Sequence, residues 1–264
     1  MICETSNQEG VRFTYAPSED GRQRILSCPG EPLFFAAWER VLMIHFQVDA
    51  AALQRDVPFP LDLWNGRAFV SLVMFTMRGL RPRRGGRLAA WLFRPIATHD
   101  FLNVRTYVRQ GDEPGIHFLA EWLSNRLAVK LGPRAFGLPY RHGDIAYNHE
   151  WHNGVIRGRV GNSGNELVYH AKLPHQVSFR PCEDGSLEEW LMERYTAFNS
   201  AGGRKRFFRV WHSPWLKCDV EATIEKDSLL ARIWPWFTRT NLVGASFTPG
   251  LADVWMGRPH SLIS

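Results

Sequence analysis

The 264-residue chain predicts a single β-dominated α+β domain. Many short segments rich in β-branched and aromatic residues lie between glycine, proline and asparagine punctuation. Only two or three stretches carry helical caps and periodicity, and no linker or internal repeat divides the chain. Apolar residues make up 45% of the sequence, with 11 Trp and 17 Phe, which is ample for one packed core. Residues 1–30, with Pro17, Gly21, Pro29 and Gly30, read as a polar, loosely packed N-terminal arm, and residues 31–264 as the domain.

In chain order, residues 38–48 (WERVLMIHFQV) read as a largely buried strand. Asp49 then caps a short helix over 50–55, which Pro58 ends. Residues 66–77 (GRAFVSLVMFTM) form a second long strand. Residues 103–108 (NVRTYV) and 115–120 (GIHFLA) flank a turn containing Gly111 and Pro114, so they pair as a hairpin. Ser124 caps a helical stretch that Gly132-Pro133 breaks, because proline lacks the backbone donor. Strands follow over 144–149, 155–160 and 166–172. Ser186 and Glu189 fit a capping box for a helix running to about Phe198. Residues 206–212 and 218–223 read as a strand pair, 227–232 as a short helix, and 242–247 and 252–256 as two closing strands.

Several functional classes are excluded or weakened. No stretch approaches the roughly 18 consecutive apolar residues of a membrane span, so no membrane partner is expected. The first 30 residues carry Glu4, Glu9, Glu19 and Asp20 and no apolar core, so no secretory leader is expected and a cytoplasmic location is. The four cysteines (Cys3, Cys28, Cys182, Cys218) lack metal-ligand spacing and read as reduced thiols. The net charge of +6 is carried by 27 Arg against five Lys. Its densest run, Arg78, Arg81, Arg83, Arg84 and Arg87, reads as an exposed basic loop after a strand. A nucleic-acid partner at that loop is the weaker alternative, since no helix-turn-helix, finger or RNA-binding motif accompanies it. Phosphate-binding loops, dinucleotide fingerprints and the G-x-S-x-G elbow are all missing. His149 and His152 are spaced for a helix but lie in strand and turn, so no metal is expected there.

NVRTYV followed by PGIHF, LAV and FGLPYRH, and further on LMERYTAF, RVWHSPW and FTPGLADVW, occur in an order and spacing that resembles the YqjF-like family of bacterial proteins. The resemblance runs from about Trp38 to the C-terminus. It implies membership of the acetoacetate decarboxylase-like superfamily. The fold it implies is a β-cone, a partly closed antiparallel barrel with a few short outer helices and an internal cavity. The decarboxylase forms a Schiff base through a lysine after a Gly-x-Pro turn. Here the matching turn is Gly137-Leu138-Pro139, and Tyr140 and Arg141 follow. A phenol cannot form an imine, and a guanidinium stays protonated. Lys172, at a strand end, is the one lysine that suits a pocket, and imine chemistry is not expected.

Alternation in NVRTYV puts Asn103, Arg105 and Tyr107 on one face. Arg105 there suits either a bound carboxylate or a buried ion pair. Tyr140 and His142 share a face next to Arg141 and suit proton transfer or a structural network. His45, within an apolar strand, suits the core or a ligand contact. Two readings follow. In one, the chain binds, and as an enzyme transforms, a small carbonyl or carboxylate compound. Arg105 is then the anion anchor, Tyr107, Tyr140, Arg141 and His45 are contacts, and Tyr140 and His142 are the catalytic candidates. In the other, a non-catalytic sensor or scaffold uses the same cavity. An enzyme of this kind would be a lyase or related activity without a Schiff-base lysine. No cofactor is expected, and the chain is expected as a monomer or small homo-oligomer.

Overall fold

The computed structural model describes residues 17–162 and 164–262. The first elements are α1 (Pro17–Leu26), β1 (Phe34–Val48), α2 (Ala50–Gln54), β2 (Ala68–Pro82), α3 (Gly86–Phe93), β3 (His99–Gln110) and β4 (Glu113–Leu123). Then come α4 (Arg126–Phe136), β5 (Tyr140–His142), β6 (Ile145–Asn148), β7 (Val155–Asn162), β8 (Asn165–Lys172) and α5 (Leu187–Met192). The chain ends with β9 (Thr196–Ala201), β10 (Arg204–Trp211), β11 (Cys218–Asp219), β12 (Glu221–Lys226), α6 (Ser228–Ala231), β13 (Asn241–Met256) and β14 (His260–Ser261).

The large sheet runs β13-β1-β2-β3-β4-β9-β10 and returns to its start, because β10 also pairs with β13. That return rests on two register pairs, Val210 with Met256 and Trp211 with Trp255. All neighbours in this ring are antiparallel except β4 and β9, which run parallel at Ile116–Ala197 and His117–Phe198. The second sheet, β12-β8-β7-β6, covers the outside of the ring. Leu42, Ile44, Leu72, Leu102, Val104 and Phe247 meet Ile156, Val160, Leu167 and Ala171 there in one buried apolar cluster.

Two bulges decide what faces inward. In β1 the register slips between Glu39 and Leu42, where Arg40 takes a positive φ of 54°. Trp38 and Met43, of opposite parity, therefore line the same inner wall. In β4 the register slips between the partners of Val104 and Arg105, leaving Leu119 unpaired. Glu121 and Phe118 thus face inward together.

The sequence reading needs several corrections. Residues 1–16 of the expected arm, with Cys3, lie outside the described residues. From Pro17 the chain is helical, with Ile25 buried and the Ser18 hydroxyl donating to the His212 carbonyl at 2.7 Å. Gly21 lies against the Tyr195 ring, so close that a Cβ would fall 2.6 Å from it. The basic run is no simple loop: Arg78 and Arg81 extend β2, and Arg87 opens α3. Asn125, not Ser124, caps α4, accepting from the amides of Leu127 and Ala128. That helix passes through Pro133 and stops at Gly137, whose φ of 70° favours glycine. α5 ends at Met192, and β9 follows instead of more helix. β10 and β11 do not pair with each other, and the two closing strands are one, β13.

Phe247 is fully buried where ring and outer sheet meet. Phe247→Ala is expected to cost about 3–5 kcal/mol in urea unfolding; a loss under about 1 kcal/mol would mean that this seam is not the main core.

Candidate functional site

The inside of the ring is hollow on one flank. A pocket of about 290 Å³ is walled by Met43, Val73, Phe75 and Phe101 from the ring and by Phe93 and Phe136 from α3 and α4. Its polar contributors include His99, Asn103, Arg105, Glu121, Tyr140 and Arg194. All but Arg194, which lies between α5 and β9, sit on strands. His45, Ser71 and Arg105 are successive partners across β1, β2 and β3. Asn103, Glu121 and Tyr140 are successive partners across β3, β4 and β5.

In the first row, His45 Nδ1 and the Ser71 hydroxyl lie 2.7 Å apart, and that hydroxyl is 2.5 Å from the Tyr107 hydroxyl. Burial, then the positive charges of Arg105 and Lys217, lowers the His45 pKa to about 3, so its imidazole is neutral. Its Nε2 has no partner. Arg105 is buried and donates one hydrogen bond, from Nη2 to the Leu191 carbonyl at 3.0 Å. Its Nε is unpartnered.

The second row holds a buried carboxyl, Glu121, with Oε2 unpartnered. Burial raises its pKa well above 4.5, favouring the protonated acid. Burial, then the adjacent Glu121, likewise raises the Tyr140 pKa. The Tyr140 ring lies edge-on to Phe101 and against Gly132 of α4, where a Cβ would come within 2.1 Å of it. Asn103 Oδ1 and both nitrogens of His99 are also without partners. So many orphaned polar atoms facing one space is unusual, since buried polar groups are nearly always satisfied.

The structure brings His45, Arg105 and Tyr107 together; Arg105 and, two strands away, Tyr140 line the pocket, and His45 does not. Arg141 and His142 are exposed at the sheet margin, with Arg141 over the Trp122 ring, and they do not line the pocket. Tyr107 packs against Trp190 with the two rings tilted by 36° and does not line the pocket. Lys172 is exposed on the outer sheet. Sequence reasoning missed Glu121, whose only trace is a lone acid in the apolar run HFLAEWL. It also missed Arg194, which spans Asp62 and Trp190 beside the pocket, and Lys217, a buried ammonium. Burial opposes the charge on Lys217, but hydrogen bonds to Asp219 (2.5 Å) and Glu188 (2.8 Å) outweigh it and raise its pKa.

Cys28, Cys182 and Cys218 are free thiols. Cys28 comes within 4.8 Å of Glu31 and His260, but Arg209 and Arg258 lie against that group and already supply positive charge. His149 is satisfied by the Arg40 carbonyl and the Tyr169 hydroxyl, while His152 is exposed. No helix among the described residues is long and apolar enough to cross a membrane.

A closed, strand-dominated ring around an inner pocket defines an acetoacetate decarboxylase-like fold. Acetoacetate decarboxylase from Legionella pneumophila superposes with a TM-score of 0.61 at 13% identity, covering 99% of this chain and 98% of that one. An acetoacetate decarboxylase-like enzyme from Sphingomonas wittichii gives 0.60 at 16% identity, covering 89% and 94%. The enduracididine biosynthesis enzyme MppR complexed with pyruvate gives 0.58 at 14% identity, covering 90% and 93%. The chain belongs to the YqjF-like DUF2071 family, described as an uncharacterized conserved protein, whose model matches residues 36–234. Protein YqjF of Bacillus subtilis is 32% identical over 223 residues, 80% of this chain and 86% of that protein.

Glu121 gives a pH test. An unfolded carboxyl releases its proton near pH 4.5, while the folded one retains it. Holding that proton opposes folding above pH 4.5 and has no effect below it. Glu121→Gln is therefore expected to stabilise the protein at pH 7.5 and to be neutral at pH 4, as read by thermal unfolding. Destabilisation at both values would mean that Glu121 is ionised and paired.

Proposed function

We propose that the protein binds a small organic acid with a largely apolar body in the ring pocket, its carboxylate held by Arg105, without imine chemistry. One observation carries this reading. Arg105 is buried against an apolar wall and meets a single carbonyl, with no salt bridge among the described residues. A buried charge without a counter-charge is costly, and a bidentate carboxylate is the partner whose geometry fits the guanidinium fork.

Asn103 and Glu121, whose burial favours the neutral acid, supply further polar contacts for the acid or an adjacent carbonyl, and the aromatic wall fits its body. The volume is at the low end for ligand pockets, about 300–1,000 Å³, and suits a compact molecule. MppR, similar in fold, is described in complex with pyruvate, a keto acid. Four of the five lysines (Lys130, Lys172, Lys205, Lys226) are exposed, and Lys217 is held protonated by two carboxylates. None offers the neutral amine that an imine needs.

Thermal shift with phenylpyruvate and aliphatic 2-keto acids tests the binding. At least one is expected to stabilise the wild type by up to about 2.7 kcal/mol at a hundred times its Kd. Arg105→Ala is expected to remove that stabilisation; an unchanged shift in the variant would end the role of Arg105. Borohydride treatment with the same acids is expected to leave no covalent adduct, and a labelled Lys217 would overturn the imine-free chemistry.

A further inference from the structure

α3 and α4, the two helices that wall the pocket, also present the most unusual surface of the molecule. Every residue of α3 (GRLAAWLF) is at least partly exposed. Leu88, Trp91 and Leu92, at i, i+3 and i+4 on one side of the helix, are 69%, 60% and 61% exposed. Leu127 and Leu131, one turn apart on α4, are exposed as well. The helices adjoin. The Phe34 ring touches Phe93 of α3 at 5.5 Å and Phe136 of α4 at 6.1 Å. Asn125 at the head of α4 donates to the Pro95 carbonyl, just past α3, at 2.7 Å.

The charge around these apolar side chains has one sign. Residues 78–98 and 125–143 contain no Asp or Glu. Arg83, Arg84, Arg87, Arg94, Arg126, Lys130 and Arg134 are exposed, and none forms a salt bridge among the described residues. We infer that this face docks on an anionic membrane surface. Leu88, Trp91 and Leu92 would enter the headgroup boundary while the guanidinium groups meet lipid phosphates.

The chemistry selects this partner over two others. A two-fold contact with a second copy would bring the same unneutralised cations face to face. A nucleic acid would satisfy the cations but leave three large apolar side chains in water. An anionic bilayer satisfies both, since amphipathic helices with Trp and Leu on one face and arginines beside them lie in the interface. No span is implied: α3 has eight residues, about 12 Å of helix. No helix among the described residues is long and apolar enough to cross a membrane, and a docked surface needs no such helix. This inference stands apart from the organic-acid reading, because it rests on the outer side of the helices.

The test is flotation of the full chain with vesicles of phosphatidylcholine alone and with phosphatidylglycerol added. The protein is expected to float with the anionic vesicles at low salt, to be released by high salt, and to ignore the neutral ones. Replacing Arg83, Arg84 and Arg87 together by Glu is expected to weaken binding by about a hundredfold or more, at about 1 kcal/mol for each cation near the surface. Replacing Leu88, Trp91 and Leu92 by Ser is expected to abolish binding with the melting temperature unchanged, since these side chains face solvent. No flotation of the wild type, or equal flotation with both vesicle types, would overturn the inference. So would a dimer on size exclusion that the Leu88, Trp91 and Leu92 replacement dissolves, or retention on RNA that this replacement leaves intact.

Discussion

Two residue pairs, Val210 with Met256 and Trp211 with Trp255, hold the ring shut. Without them β10 and β13 would be the margins of an open, twisted sheet, and its concave side would face water. Closure gives the sheet an inside, and an inside lets the guanidinium of Arg105, the carboxyl of Glu121 and the imidazole of His99 share one buried wall. The outer face of the same strands is filled by the second sheet and α6, so the molecule is solid on one side of the ring and hollow on the other.

The electrostatics of the hollow side follow from that asymmetry. Burial neutralises His45 and favours the protonated form of Glu121, leaving Arg105 as the charge that faces the pocket without an ion pair. Arg194 shows the contrast. It is equally buried, but Asp62 bonds it at 2.9 Å and Trp190 stacks under it at 4.2 Å, so it is a structural cation. Lys217 is neutralised in the same way by Glu188 and Asp219. Cations that serve the fold hold a carboxylate at hydrogen-bond distance here, and Arg105 holds none at that distance.

Much of the ring was legible in the sequence. The first two long strands, the β3–β4 hairpin, the Asp49 cap and the strands of the outer sheet follow from alternation and turn chemistry, which are local. Alternation in NVRTYV put Arg105 and Tyr107 on one face, yet Arg105 lines the pocket while Tyr107, and His45 beside a register shift in β1, do not. Glu121 was not legible, because alternation carried through β4 breaks at Leu119, and a bulge depends on the partner strand. Arg141 and His142 misled because β5 has three residues and pairs only with β4, so its end leaves the pocket wall. Pro133 misled in the other direction: α4 tolerates it one turn before its left-handed end.

The bulges at Arg40 and Leu119 have a consequence for how the gene tolerates change. Elsewhere in these strands an altered side chain disturbs one place in the wall. Removing the single codon for Leu119 would restore strict alternation to β4 and leave Ile116, Phe118 and Glu121 all facing the hollow, because the residue lost is the one without a partner. Removing a paired residue such as Val104 would instead turn one half of its strand over, since regular alternation has no spare position to give up. An in-frame loss is therefore absorbed at the bulge and acts on the whole inner lining when it falls on a paired position.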